Sequence, residues 1–244
     1  MIKQFAGIII LSGISLMALS QSTPTKKTSA RPDIPGAFVL EFGFNQDVGG
    51  PGAFSLNFWG SRTANVYYQY EFRILKSGFS FVPGIGLSME RFKFSNEYAV
   101  GYTSNTSGEV VMIPPGDASV PNIQKSMLVT NYVDVPMEIR FTVNPDDPSR
   151  SFKTAVGGRI GYMYDSFNKV KYKENTETKK LKDKQDFNLT KLRYGLTGRI
   201  GFGNFSIFGY YNLTPLFEEN KGLKENNIYN NFPTYTIGIS LSSF

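Results

Sequence analysis

Hydrophobic and polar residues alternate with a period of two along most of the chain, and the run from Asn131 to Val143 shows it most cleanly. Val133, Val135, Met137, Ile139, Phe141 and Val143 share one parity; Asp134, Glu138, Arg140 and Thr142 share the other. Side chains of a strand point alternately to its two faces, so this run predicts a strand with one apolar face and one charged face. Seven more segments repeat the alternation: Phe38 to Phe44, Asn65 to Ile74, Phe79 to about Phe94, Phe152 to Tyr164, Leu189 to Phe202, Phe205 to Leu213, and Pro233 to Phe244. Within the third, the apolar parity passes from Phe79, Phe81, Ile85, Leu87 and Met89 to Phe92 and Phe94, a switch near Glu90 that predicts a β-bulge.

The connections decide what the faces meet. Short turns at 75–78, 144–151 and 203–204 alternate strictly with long segments, among them a Ser/Gly/Pro-rich loop at 95–126, a Lys-rich loop at 165–188 and an Asn/Glu/Lys-rich loop at 214–232. Gly203-Asn204 is a hairpin signal. In a closed meander this order gathers every short turn at one end and every long loop at the other. A soluble sandwich turns its apolar faces inward and has no reason to segregate loop lengths, whereas a barrel in an outer membrane does both the reverse and the segregation. The expected fold is therefore all-β, an eight-stranded antiparallel up-and-down transmembrane β-barrel over 36–244, with short periplasmic turns and long extracellular loops.

The N-terminus fits export. Lys3, the apolar run Ile8 to Leu19 and the small-residue site Ala18-Leu19-Ser20 predict a secretory signal peptide over 1–20, followed by a flexible Ser/Thr/Pro/Lys leader over 21–35. Aromatic placement agrees: Phe81, Phe141, Phe152, Phe202 and Phe205 fall near the short turns, and Tyr68, Tyr162, Tyr164 and Tyr211 are expected near the long loops, as two interfacial girdles.

Composition removes several functions. With no Cys and no His, the chain lacks the thiolate nucleophile, the usual general base near neutral pH and the commonest metal ligand, so an enzyme is not expected and no cofactor is implied. The net charge of +6 is spread through strands and one loop, not gathered into a basic arm, so nucleic acid is not an expected partner. Outer-membrane lipid is.

Eight strands enclose a barrel that side chains can fill. The inward parity collects Glu41, Glu71, Glu90, Asp134 and Glu138 against Arg73, Arg140, Lys153, Arg159, Lys191, Arg193 and Arg199, which predicts a paired charge network plugging the lumen in preference to a catalytic or proton-relay site. Pro83 and Pro136 lie inside strands of a structure without edges, so a bulge or a local water is expected at each. In the loop 95–126 the apolar run Val110, Val111, Met112 and Ile113 is either a partner-docking surface or a continuation of the neighbouring strands above the membrane.

The signal peptide, the eight segments, the YVDVP run at Tyr132 to Pro136, the GGRIGY run at Gly157 to Tyr162 and the terminal Phe244 together resemble the small outer-membrane β-barrel proteins of Bacteroidota, including the PorT type. The resemblance implies insertion by the outer-membrane assembly machinery. It also implies a non-enzymatic accessory or scaffold role acting through the loops, in protein secretion with other secretion or envelope proteins. One feature departs from the pattern: Tyr235, Ile237, Ile239 and Leu241 are odd-numbered and Phe244 is even. The alternatives are a narrow-pore channel and a surface adhesin or lipid binder using Lys169, Lys171, Lys173, Lys179, Lys180, Lys182 and Lys184, although interleaved Glu174, Glu177, Asp183 and Asp186 favour a solvated face.

Overall fold

A computed structural model describes residues 36–103, 108–117, 122–174, 177–225 and 228–243; the expected signal peptide, the leader and Phe244 lie outside the described residues. The strands are β1 Ala37–Asp47, β2 Arg62–Gln69, β3 Phe72–Arg73, β4 Phe79–Lys93, β5 Ala99–Tyr102, β6 Val110–Ile113, β7 Ile123–Thr142, β8 Phe152–Glu174, β9 Glu177–Asp183, β10 Leu192–Phe202, β11 Phe205–Asn212, β12 Leu223–Glu225, β13 Ile228–Asn230 and β14 Thr234–Ser242. Eight of them close an antiparallel ring in chain order, β1-β2-β4-β7-β8-β10-β11-β14, with β14 paired back onto β1 from Val39↔Ser242 to Asp47↔Thr234. Full closure leaves the ring without an edge to aggregate. The eight-stranded up-and-down barrel expected from the alternation is the fold.

Parity assigns the faces. In β7, Val133, Val135, Met137 and Ile139 are exposed on the outside while Asp134 and Glu138 are buried within. The tightest turn between strands of the ring is Gly203-Asn204, closed by Phe202↔Phe205, with Gly203 in the left-handed region at φ 58°. Phe81, Phe152, Phe202 and Phe205 are exposed at the short-turn end, and Tyr162, Tyr164 and Tyr211 at the loop end. Tyr68 is placed otherwise than expected. Strand β2 descends from its loop, so Tyr68 sits opposite Phe38 at the short-turn end, their rings edge-on at 5.4 Å.

The expected bulge near Glu90 is absent. Strand β4 keeps one register against β7 from Phe79↔Phe141 to Lys93↔Met127, and Ser80, Val82, Ser88, Glu90, Phe92 and Phe94 all lie on the inner face. The chemistry of the interior changes at Glu90, from polar to apolar, while the strand runs on. A shift does occur in β8, where Asn131↔Asp165 gives way to Tyr132↔Met163 and Tyr164 is the extra residue. Above it the parity of β8 reverses, so Ser166, Asn168 and Val170 face inward and Lys169, Lys171 and Lys173 outward. The segments read as loops from 123 and beyond 165 are therefore largely strand: β7 begins at Ile123, and β8 runs to Glu174 before folding back as β9.

Neither proline shifts the register. The β4–β7 ladder lapses at Gly84 and Ile85, opposite Pro136 and Val135, and resumes at Gly86 in unchanged alignment. On its other side β4 presents Pro83 to Tyr70, whose N–H donates to the Pro83 carbonyl at 3.0 Å but receives no donor back. That missing donor falls where β2 stops at Gln69 and β3 resumes at Phe72. Of the bulge or local water expected at Pro83 and Pro136, the bulge is absent and short gaps in the ladder take its place.

Above the ring the long loops form a second structure. Strands β5, β6, β12 and β13 make a four-stranded sheet in the order β13-β12-β6-β5, with β12 and β6 parallel through Leu223↔Val110.

Candidate functional site: a charged lumen under an apolar cap

Inside the ring, four buried carboxylates meet three buried guanidinium groups. Arg193 Nη1 donates to Glu90 Oε1 at 2.6 Å and its Nη2 to Asp134 Oδ2 at 2.9 Å. Arg159 Nη2 donates to Glu41 Oε2 at 3.0 Å and lies 3.9 Å from Asp134 through Nη1. Arg199 Nη2 bridges Glu41 Oε1 at 2.8 Å and Glu138 Oε1 at 2.9 Å, and Nη1 donates to Ser240. Neutral groups complete the shell: Asn65 donates to Glu41 at 2.7 Å and the Tyr67 hydroxyl to Asp134 at 3.0 Å. The guanidinium planes also lie over aromatic faces, Arg193 at 3.6 Å from the Tyr132 ring centroid and Arg159 at 4.4 Å from that of Tyr210.

Local sequence makes room for this. Gly161 in β8 sits opposite Arg193, and a Cβ there would come within 2.1 Å of Asp134 Oδ1 and 2.9 Å of Arg193 Nε. Glycine in the GGRIGY run thus vacates the volume that the ion pair fills. The void bordered by Arg140, Lys153, Arg199 and Ser240 at the short-turn end measures about 20 Å³, enough for a single water.

Not every expected lumen residue is inside. Glu41, Glu90, Asp134, Glu138, Lys153, Arg159 and Arg193 are buried there, Arg199 is nearly so, and Arg140 stands at the rim, donating to Glu71 at 3.0 Å and Gln69 at 3.2 Å. Glu71 and Arg73 are corrections: they lie beyond the gap opposite Pro83, exposed at the short-turn end, where Arg73 pairs with Asp146 of a neighbouring turn at 3.2 Å. Lys191 is a third. Strand β10 starts only at Leu192, which leaves Lys191 in the preceding loop, 3.6 Å from Asp186.

Directly above the charges lies an apolar core that the alternation does not announce. Phe92, Phe94, Leu128, Tyr132 and Met163 project into it from the ring, and every long loop adds to it: Phe54 from the first, between β1 and β2, Val100 and Val110 from the second, between β4 and β7, Phe187 and Leu189 from the third, between β8 and β10, and Leu216, Phe217, Leu223 and Phe232 from the fourth, between β11 and β14. Phe54 packs at 4.8 Å on Phe232 and 5.1 Å on Phe94. The signal was there as short groups of bulky apolar residues in otherwise polar loops, which periodicity cannot detect.

This core absorbs the apolar run of the second loop. Val110 is buried in it, Met112 packs against it, and Ile113 packs on a smaller cluster of Ala99, Ile123 and Val170. Val110, Val111, Met112 and Ile113 pair with β5 as a hairpin of their own. The expectation of a free docking surface there is corrected in part: Val110 is spent inside the cap, Met112 and Ile113 are half-buried against apolar clusters, and the hairpin belongs to the loop sheet, not to the barrel strands. Polar contacts fasten the edges, with Lys224 Nζ 2.5 Å from Glu109 and the Tyr102 hydroxyl donating to Asp186 at 3.0 Å. Burial and the hydrogen bond to Asp186 push Tyr102 up to about 12. Partial burial opposes ionisation of Asp186, but hydrogen bonds from Tyr102 and the backbone of Asn188, together with Lys191, hold its carboxyl below the usual range.

The lysines of the third loop form a ribbon. Lys169, Lys171 and Lys173 of β8 lie opposite Lys182, Lys180 and Thr178 of β9, so they share one outward face. Of the acidic residues expected to interleave, Glu174 pairs with Lys179 at 2.5 Å and Asp186 with Lys191 at 3.6 Å, neither cation being on this face.

Two solved structures are similar to this chain. Both are of Ail, the attachment invasion locus protein of Yersinia pestis, one of them in complex with the heparin analogue sucrose octasulfate. Each is 16% identical to this chain and covers 86% of it and 100% of the Ail chain, with TM-scores of 0.36 and 0.32. No protein of curated function matches the sequence. The model of the outer membrane protein β-barrel domain matches residues 20–218. With the closed ring, the apolar exterior and the charged interior in view, the chain belongs to the outer membrane protein β-barrel domain family and resides in the outer membrane.

Proposed function

We propose that the protein is a closed, non-enzymatic scaffold barrel that displays a rigid extracellular cap. One observation carries this reading: the axis is plugged twice, by the charge network around Arg159, Arg193 and Arg199 and by the apolar core to which all four long loops contribute. A channel would leave an aqueous lumen, and a loop-gated pore would not bury its loops in a common core. Each of the three lumen guanidinium groups is ion-paired to a carboxylate, and no His is present to run acid–base chemistry. An accessory role in protein secretion is the form of scaffold that the PorT resemblance supports, with the outer-membrane assembly machinery installing the barrel and other secretion or envelope proteins docking on the cap. In planar bilayers the purified protein should show no steady conductance, and stable open channels would overturn the closed-barrel reading. A photo-crosslinker at Ile228, exposed on the β12–β13 hairpin, should capture a defined envelope protein in native membranes. Capture of lipid alone would contradict the scaffold.

The surface-binder alternative is favoured by a separate observation, the lysine ribbon of β8 and β9.

A further inference from the structure

Cations stand opposite cations across the outer face of five consecutive strands. Arg62 of β2 is opposite Arg91 of β4; higher up, Lys125 of β7 is opposite Lys171 of β8, which is opposite Lys180 of β9; and Lys169 is opposite Lys182. Like charges directly across a ladder are destabilising. Among the described residues no carboxylate forms an ion pair with Arg62, Arg91, Lys125, Lys169, Lys171 or Lys180, whereas other cations of the same loops have found theirs. The fold holds these charges against their mutual repulsion, and an external anion relieves it.

An apolar groove adjoins them. The row below Arg62 and Arg91 is Phe42, Ala64 and Met89, and the small Ala64 side chain floors a depression of about 440 Å³ walled by Phe42, Phe44, Met89 and Ile239. The two arginines border the same groove. Beside it Phe44 stacks on Phe58 at 5.2 Å and meets Trp59 edge-on, both exposed, while Arg62 Nε donates to the Trp59 carbonyl at 2.7 Å. Exposed Trp and Phe in this position mark the level of the lipid headgroups.

We propose that this face binds a phosphate-bearing lipid of net negative charge in the outer leaflet, with an acyl chain along the Ala64 groove and phosphate oxygens on Arg62 and Arg91. Guanidinium groups suit phosphate because their fork of donors matches its oxygens. The row through Arg91 and Val129 meets β8 at Phe167, four residues below Lys171, which at strand rise is about 13 Å. The lysine row therefore takes a second phosphate, on the same head or on a neighbouring lipid. A soluble sulfated polysaccharide could use the cations but has no use for the groove, so the combination selects a lipid.

Native mass spectrometry of the intact folded protein tests this, with phosphatidylglycerol and phosphatidylcholine of identical chains as probes and heat-modifiable migration as the folding control. The wild type should retain phosphatidylglycerol far more strongly; equal retention of the two would overturn the proposal without any variant. Arg62→Gln with Arg91→Gln should weaken phosphatidylglycerol retention by about thirtyfold. Ala64→Leu, which fills the groove, should weaken retention of both lipids. Lys125→Gln, Lys171→Gln and Lys180→Gln together should weaken retention of a diphosphorylated lipid more than of phosphatidylglycerol. If that triple variant instead loses heparin binding while every lipid is retained as before, the face serves a soluble polyanion and the proposal fails.

Discussion

The same strands carry opposite polarity in their two halves. In the membrane, β7 turns Val133, Val135, Met137 and Ile139 outward and Asp134 and Glu138 inward. Above it, the same strand turns Lys125 outward and Leu128 inward, against Phe92 and Phe94 of β4. Neither change needs a break in the β4–β7 register. The solvent on the outside is what changes. Where it is hydrocarbon, apolar side chains gain nothing by turning inward, and polar groups must gather inside to find partners. Where it is water, the ordinary hydrophobic effect applies and the interior becomes greasy. A switch of apolar parity along an unbroken strand can therefore mark a membrane surface, and a bulge is only one of its causes.

Each half can be broken separately. The largest effect is expected in the lower one: Arg193→Ala leaves Glu90 and Asp134 facing each other with a guanidinium removed, and should cost about 3–5 kcal/mol, read as a lower urea midpoint of the folded band in lipid vesicles. An unchanged midpoint would mean the charges are not holding the barrel. In the upper half Phe54→Ala should cost about 3 kcal/mol, confined to the cap. Faster amide exchange at Phe187, Phe217 and Phe232, with the membrane strands still protected, would show that the halves unfold apart. Uniform loss of protection would join them. A matched pair sharpens the contrast on one strand face. Val135→Arg should cost about 2–4 kcal/mol near the midplane, while Met127→Arg, eight residues up and between Lys93 and Lys169, should cost no more than about 1 kcal/mol. The smallest effect is set by pH. The Asp186 carboxyl is held below its usual range in the folded state, so its contribution is full above the unfolded value and is lost as pH falls through the folded one. Exchange in the third loop should therefore quicken below about pH 4, and Tyr102→Phe should blunt that response.

What the sequence disclosed follows the same division. Alternation placed Glu41, Asp134, Glu138, Arg159 and Arg193 on inner faces, because a period of two is all that the membrane half requires. It misplaced Glu71 and Arg73 because β3 keeps the register of β2 but holds them at the open short-turn end, where inner parity no longer means burial, and Lys191 because β10 starts only at Leu192. The cap was hidden more deeply. Phe54, Phe187, Phe217 and Phe232 occur one to a loop or beside polar neighbours, and only the closed ring brings them together. Lys125, Lys171 and Lys180 likewise become a row only once the register of three strands is known.

The polarity reversal is most directly tested by spin labels on the outer face of β7. The chain has no cysteine, so single cysteines at 125, 127, 133, 135, 137 and 139 can be labelled without background and their access to oxygen and to a water-soluble nickel chelate compared in lipid bilayers. The account requires the chelate to reach 125 and 127, and oxygen to dominate from 133 to 139. A single environment along the whole series would contradict it.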